Sequence, residues 1–305
     1  MKHSLSRRGF LKSSACIAGA AMTATLAPNK VFSNPRINNQ VLLSGHVWVY
    51  ASKFPPDWDC TPVLDQVFSD FKYAGYQGVE LMESNLRNEE AMIRLPELIE
   101  KYKIPVTGTS YYGNMWDRTQ HQEILEDAEQ VLERLHQLGG ITFGITVGDA
   151  GRVKTEKELD AQADLLKLIL KTCKKNKIQP NLHNHTFEVE NNLRDFKGIL
   201  ERIPEIPLGP DLNWLIRGGV DPVWFINTYG DRMVYLHIRD QGADGKWTRA
   251  VGEGVTDFPA IADALKKANF KGRAAVELAF ETPPEGEVKE DWKKSREYVR
   301  NVFGW

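Results

Sequence analysis

From residue 40 onward the chain alternates between two hydrophobic periods. Short apolar, β-branched runs give way to longer stretches with apolar residues at helical spacing, then to turn residues, then to the next short run. The short runs predict strands at 41–49, 78–82, 104–109, 141–147, 178–185, 207–212, 233–238 and 273–278. The amphipathic stretches between them carry sets such as Leu64, Val67, Phe68 and Phe71, or Ile124, Ala128, Val131, Leu132 and Leu135. Leu159, Ala163, Leu166, Leu170 and Cys173 form another such set, as do Phe258, Ile261, Leu265 and Ala268. A last helix is expected over 288–303, with Trp292, Tyr298 and Val302. Ala74-Gly75-Tyr76, Lys103-Ile104-Pro105, Leu138-Gly139-Gly140 and Asn269-Phe270-Lys271-Gly272 each stop a helix just before a strand. Eight consecutive strand–helix units without a long linker predict the α/β class and a closed (β/α)8 TIM barrel over 38–305. A doubly wound open sheet is the alternative, weakened by the lack of a Gly-rich phosphate fingerprint after the first strand.

The first thirty-odd residues break this rhythm. Lys2, Arg7-Arg8, Phe10-Leu11 and Lys12 precede a small-residue, weakly apolar run from Ser13 to Ala27 with no acidic residue. That order predicts an export signal over 1–33, and the paired arginines look like the twin-arginine (Tat) motif. The run is too short and polar for a stable membrane span. The expected consequences are passage through the twin-arginine machinery in a folded state, cleavage between Ala24 and Asn34, and a periplasmic or otherwise extracytoplasmic mature protein. Without Cys16, only Cys60 and Cys173 remain, too few for a disulfide framework although one bridge is conceivable. The formal net charge is -2, which gives no basis for a nucleic-acid partner.

Active groups of a barrel sit at strand C-termini or in the loops that follow. The ends of the predicted strands 5 to 8 supply His183 and His185, Asp211, His237, and Glu277. His183 and His185 are two apart and share a side of a strand. A lone strand-end carboxylate usually caps a helix, but four ligand-type residues on four consecutive strand ends point to a divalent cation. Imidazole plus carboxylate suits Mn²⁺ first, with Co²⁺, Zn²⁺ or Mg²⁺ as alternatives.

The segments His183-Asn184-His185-Thr186-Phe187-Glu188, Asp211-Leu212-Asn213-Trp214, Gly230-Asp231-Arg232 with Leu236-His237-Ile238-Arg239-Asp240, Val251-Gly252-Glu253-Gly254, and Val276-Glu277 together resemble the xylose isomerase-like barrel superfamily. This superfamily includes sugar isomerases, epimerases and the family-two apurinic endonucleases. The resemblance covers essentially all of 40–305. It implies Asp211, His237 and Glu277 as metal ligands, one divalent ion, and a small-molecule carbohydrate substrate. Many members carry a glutamate where this chain has His183-Asn184-His185, which puts the chain in the branch labelled sugar phosphate isomerase/epimerase and leaves both histidines as candidate ligands. The endonuclease relatives need further zinc-binding histidines where this chain has Glu80 and Tyr111-Tyr112.

The chemistry this implies is proton abstraction beside a sugar carbonyl, through a metal-stabilised enediolate. Glu188, Glu80 and whichever of His183 and His185 does not bind metal, His183 first, are the candidate bases. Tyr111, Trp116, Trp214, Arg239 and Asp240 are candidate substrate contacts. Export argues for a non-phosphorylated substrate. Elimination or hydration of a 3-keto-glycoside, a non-catalytic carbohydrate-binding barrel, and association into a homo-oligomer are the alternatives kept open.

Overall fold

The computed structural model describes residues 41–282 and 286–305. The proposed export signal, its cleavage site and Cys16 lie outside the described residues. Seven parallel strands form one sheet in the order β5-β4-β3-β2-β1-β7-β6. They are β1 (Leu42–His46), β2 (Gly78–Met82), β3 (Val106–Tyr112), β4 (Thr142–Thr146), β5 (Gln179–Leu182), β6 (Tyr235–Ile238) and β7 (Arg273–Glu277). The remaining gap, between β5 and β6, is spanned by residues 207–211. Leu208 bridges Leu182 on one side and Met233 on the other, and Asp211 bridges His237. Pro207 and Pro210 have no N–H to donate, so this eighth segment pairs through isolated bridges instead of a continuous ladder. The result is a nearly closed TIM barrel.

Most strand boundaries shift by a residue or two from the sequence pattern, and three shifts bear on the barrel mouth. β1 stops at His46 because Val47 turns the chain into a short helix, α1 (Trp48–Ala51). β3 runs on to Tyr112. β5 ends at Leu182, so His183 and His185 stand beyond the strand, although the His183 N–H still bonds Ile145 O at 2.9 Å.

The outer layer is α2 (Leu64–Ala74), α3 (Glu83–Arg87), α4 (Glu89–Tyr102), α5 (His121–Gln137), α6 (Glu156–Lys175), α7 (Thr186–Arg202), α8 (Leu212–Arg217), α9 (Pro222–Tyr229), α10 (Phe258–Lys267) and α11 (Val288–Phe303). α7 is interrupted at Glu190–Leu193, where Asn191, Asn192 and Leu193 have positive φ. The apolar stripes seen in the sequence face inward: Val67, Phe68 and Phe71 of α2 and Val131, Leu132 and Leu135 of α5 are fully buried. Gly45 is required on β1, since a Cβ there would lie 2.5 Å from the Phe71 ring. Trp292 of α11 joins the chain's end to its beginning. Its Nε1–H donates to Tyr50 Oη at 3.0 Å, and its ring packs edge-on against Phe71 and Tyr76. Cys60 and Cys173 are both buried and free, so the conceivable bridge between them is not formed.

Candidate metal centre at the barrel mouth

The site is built by side chains that parallel strands present at their C-terminal ends. Tyr235 and His237, two apart on β6, both reach across the barrel interior to Glu80 on β2. Tyr235 Oη–H donates to Glu80 Oε2 at 2.9 Å and His237 Nε2 lies 2.8 Å from the same oxygen. Burial pushes the Glu80 carboxyl up, but the surrounding His237, His46 and Tyr235 more than offset this and hold it below the usual range. Glu80 is therefore an acceptor, so His237 must carry its proton on Nε2. That leaves Nδ1 as a bare lone pair pointing toward Glu277 Oε2 at 3.1 Å and Asp211 Oδ2 at 4.0 Å. An outer carboxylate fixing the tautomer of a ligating histidine is the usual arrangement around bound metals.

Asp211 divides its two oxygens between structure and site. Oδ1 caps α8 by accepting from the N–H groups of Asn213 and Trp214 at 2.8 and 2.9 Å. Oδ2 is buried and has no hydrogen-bond partner, and the same is true of His237 Nδ1. Leaving such atoms unsatisfied is costly unless something else is bound there. His183, Asp211 and His237 bring one ligand atom each within 4.8 Å of one another. Two imidazole nitrogens and a carboxylate oxygen fit a divalent cation. Glu277 stands beside them, with Oε2 near His237 and Oε1 in an ion pair with Arg239. Burial keeps the neighbouring imidazoles neutral and able to bind: His183 falls well below the usual histidine range, and His46 to about 3.

Above this floor is a cavity of ≈ 460 Å³. It is bordered by Trp48 and Trp58 on one wall and by Trp214 and Trp247 on another. Arg239 lies 4.5 Å from the Trp247 ring and 5.4 Å from that of Trp214, in cation–π geometry. His185 also borders the cavity; its Nδ1 is 3.4 Å from Thr146 Oγ1.

The structure thus gathers His183, His185, Asp211, His237, Glu277, Trp214 and Arg239 in one place. It puts the other candidates elsewhere. Glu188 is buried at the third position of α7, accepting from the N–H groups of His185 at 2.5 Å and Val147 at 3.1 Å, and does not border the cavity. Glu80 lies beneath the cavity as the partner of His237. Tyr111 touches the cavity, but its hydroxyl is spent on Ile124 O and Asp127. Trp116 is not among the lining residues. Asp240 does not pair with Arg239; it accepts from the N–H groups of Gly252 and Gly254, both at 2.9 Å, and holds that turn together. His46, Ser110, Trp58 and Trp247 border the cavity without having stood out as candidates.

The fold and this mouth define a nearly closed TIM barrel with a cluster of ligand-type side chains at its strand ends. The chain belongs to the xylose isomerase-like TIM barrel family, whose model matches residues 68–302. Among curated proteins, an inosose dehydratase from Mesomycoplasma hyopneumoniae is 23% identical over 274 residues, covering 79% of this chain and 89% of the relative. Among solved structures, a D-allulose 3-epimerase from Methylomonas sp. superimposes with a TM-score of 0.71 at 14% identity, covering 88% of this chain and 99% of that one. A 3-keto-D-glucoside 4-epimerase from E. coli gives a TM-score of 0.66 at 16% identity, covering 86% and 100%. At these identities the two structures show a shared fold.

Proposed function

We propose that the chain is a divalent-metal-dependent enzyme of the sugar isomerase/epimerase type, which moves a proton next to the carbonyl of a non-phosphorylated sugar or keto-sugar. The observation that carries this reading is the pair of buried, partnerless atoms Asp211 Oδ2 and His237 Nδ1 beside His183, on the floor of an indole-walled cavity. His183, Asp211 and His237 hold the ion, with Glu277 as the further donor in reach. A divalent ion bound there supplies Lewis acidity toward a carbonyl oxygen and its neighbouring hydroxyl.

The protein's own groups do the rest. His185 is the proton acceptor. Its ring borders the cavity, its Nδ1 is engaged by Thr146, and its Nε2 bonds no described residue and is free to face substrate. Arg239, kept charged beside Glu277, offers N–H donors to substrate oxygens. The indole faces pack against sugar C–H surfaces. Arg239 is the sole Lys or Arg among the residues lining the cavity and is already paired, which leaves no free cation for a phosphate. Export through the twin-arginine route, expected from residues 1–33, also favours an unphosphorylated substrate, because sugar phosphates are made and used inside the cytoplasm.

A second reading, elimination from a keto-sugar, is favoured by the similarity to an inosose dehydratase. Proton abstraction is common to both readings. Incubation of the Mn²⁺-loaded protein in D₂O with D-allulose, D-fructose and methyl 3-keto-glucosides, followed by NMR, separates them. Deuterium beside the carbonyl of recovered sugar or its epimer is the expected result. Deuterium accompanied by loss of the leaving group assigns elimination. No exchange with any compound contradicts the proposal.

A further inference from the structure

A second cavity, of ≈ 470 Å³, adjoins the first and is bordered by Asp57, Asp59, Ser84, Arg87 and Asn88. Trp58, Met82 and Glu83 border both cavities, so the two spaces meet across these three side chains. Two of the three are held in ways that packing alone does not require.

Trp58 has φ 51, a left-handed conformation that bulky residues seldom adopt. The backbone around it enforces that conformation: its N–H donates to Phe54 O at 2.8 Å, and its carbonyl accepts from Ser84 Oγ at 2.8 Å. The ring that this strain positions is not buried. It is 38% exposed, tilted against Trp48 at 5.5 Å between centroids, on the rim between the cavities. Strain kept in order to display an aromatic ring at a cavity edge is a mark of a ligand contact.

Glu83 is buried at the start of α3, with 8% of its surface exposed. Its nearest cation, Arg87, stands 3.8 Å away and is committed to Asp127 through two hydrogen bonds of 2.7 Å each. Burial raises the Glu83 carboxyl above the usual range.

We propose that the two cavities are subsites of a single groove for a glycoside: one sugar ring over the metal centre, a second sugar unit against Trp58, and Glu83 at the linkage between them. This rests on the sugar-enzyme reading above and narrows its substrate class. Glu83 borders both cavities, so its carboxyl stands where the linkage and the hydroxyls beside it would lie. The second unit is a neutral polyol and not a phosphate, because Asp57 and Asp59 line its cavity and the one cation there, Arg87, is already satisfied.

The deuterium-exchange assay tests this with D-allulose, methyl 3-keto-glucosides of both anomers, and 3-keto-disaccharides of both anomers. At least one disaccharide is expected to have a KM roughly tenfold below that of its methyl counterpart, the scale of one well-packed aromatic contact. Trp58→Ala should raise the disaccharide KM several-fold more than the methyl KM, and Trp58→Phe should restore most of the difference. Glu83→Leu should raise the disaccharide KM more than the methyl KM, whereas Glu83→Gln, which keeps a donor and an acceptor in the same place, should retain most of the preference. Equal KM values for every disaccharide and methyl compound would overturn the two-subsite groove while leaving the sugar-enzyme reading intact. So would Trp58→Ala raising both values by the same factor. Exchange with none of the compounds, D-allulose included, would overturn the sugar-enzyme reading, and the groove with it.

Discussion

Lys154, Gln162 and Asp195 on the flank of the barrel, and His183, Asp211 and His237 at its mouth, are buried to similar degrees, yet they treat their polar atoms differently. In the first group the bonds close on themselves. Lys154 Nζ lies 2.5 Å from Asp195 Oδ2 and donates to Gln162 Oε1 at 2.9 Å, while Gln162 Nε2 donates to Asp195 Oδ1 at 2.5 Å. In the second group, Asp211 Oδ2 and His237 Nδ1 bond nothing among the described residues. A closed network pins α7 to α6 and asks for no ligand. An open one leaves the cost of desolvation to be offset by something the chain does not contain. Burial of charge therefore does not by itself mark a functional site; unfilled bonding capacity on ligand-type atoms that converge on one point does.

The contrast can be broken from the flank first. Lys154→Met should cost about 3–5 kcal/mol of stability, because it leaves Asp195 buried without a counter-charge. Denaturant unfolding of this variant beside Lys154→Met/Asp195→Leu measures it, and the double variant should recover most of the loss. If the single variant were as stable as the parent, the flank network would not be the structural clamp described above.

At the mouth, Glu80→Gln should leave stability nearly unchanged but weaken divalent-metal binding by roughly 10–100-fold, the usual effect of losing an outer-shell carboxylate. The physical reason is that glutamine no longer dictates which His237 nitrogen carries the proton. Competitive titration of Mn²⁺ against a chelator reads this directly, and unchanged affinity would remove Glu80 from its assigned place.

The smallest effect belongs to the surface. Glu158 closes the capping box at the start of α6 and pairs with Arg152. That Arg152 contact, with the Thr155 N–H, lowers its carboxyl from 4.5 to about 2. A depressed carboxylate stabilises the fold above its unfolded pKa, and the contribution fades as pH falls from 4.5 toward about 2. Glu158→Gln should thus lower stability by at most about 1 kcal/mol at neutral pH. The difference from the parent should vanish in thermal melts below that window.

The same contrast shows what the sequence could and could not reveal. Apolar spacing located the barrel and nearly every strand, because that signal is local. The proline-poor strands formed ladders, whereas 207–211, with Pro207 and Pro210, closed the barrel by bridges alone. Strand-end position led to His183, Asp211, His237 and Glu277. It did not lead to the job of Glu80, which is defined by a contact across the closed barrel with a residue 157 positions away. Glu188 stood next to the histidine segment and looked like a base. Its spacing, three residues after His185, was equally that of a helix-capping partner, and capping is where the structure puts it. His46 gives no signal in the sequence, because the apolar run continues to Val49 and places it in mid-strand, whereas the strand ends at His46 itself. Trp58 lies in a loop whose path no periodicity foretells.

If the open cluster is a metal site, it holds one divalent ion. Elemental analysis and Mn²⁺ titration of metal-replete protein, compared with Asp211→Asn and His237→Ala, test it directly. About one ion per chain in the parent, lost in both variants while each remains folded, is the predicted result. A parent that binds no ion, or variants that keep it, would show that Asp211 and His237 are not metal ligands.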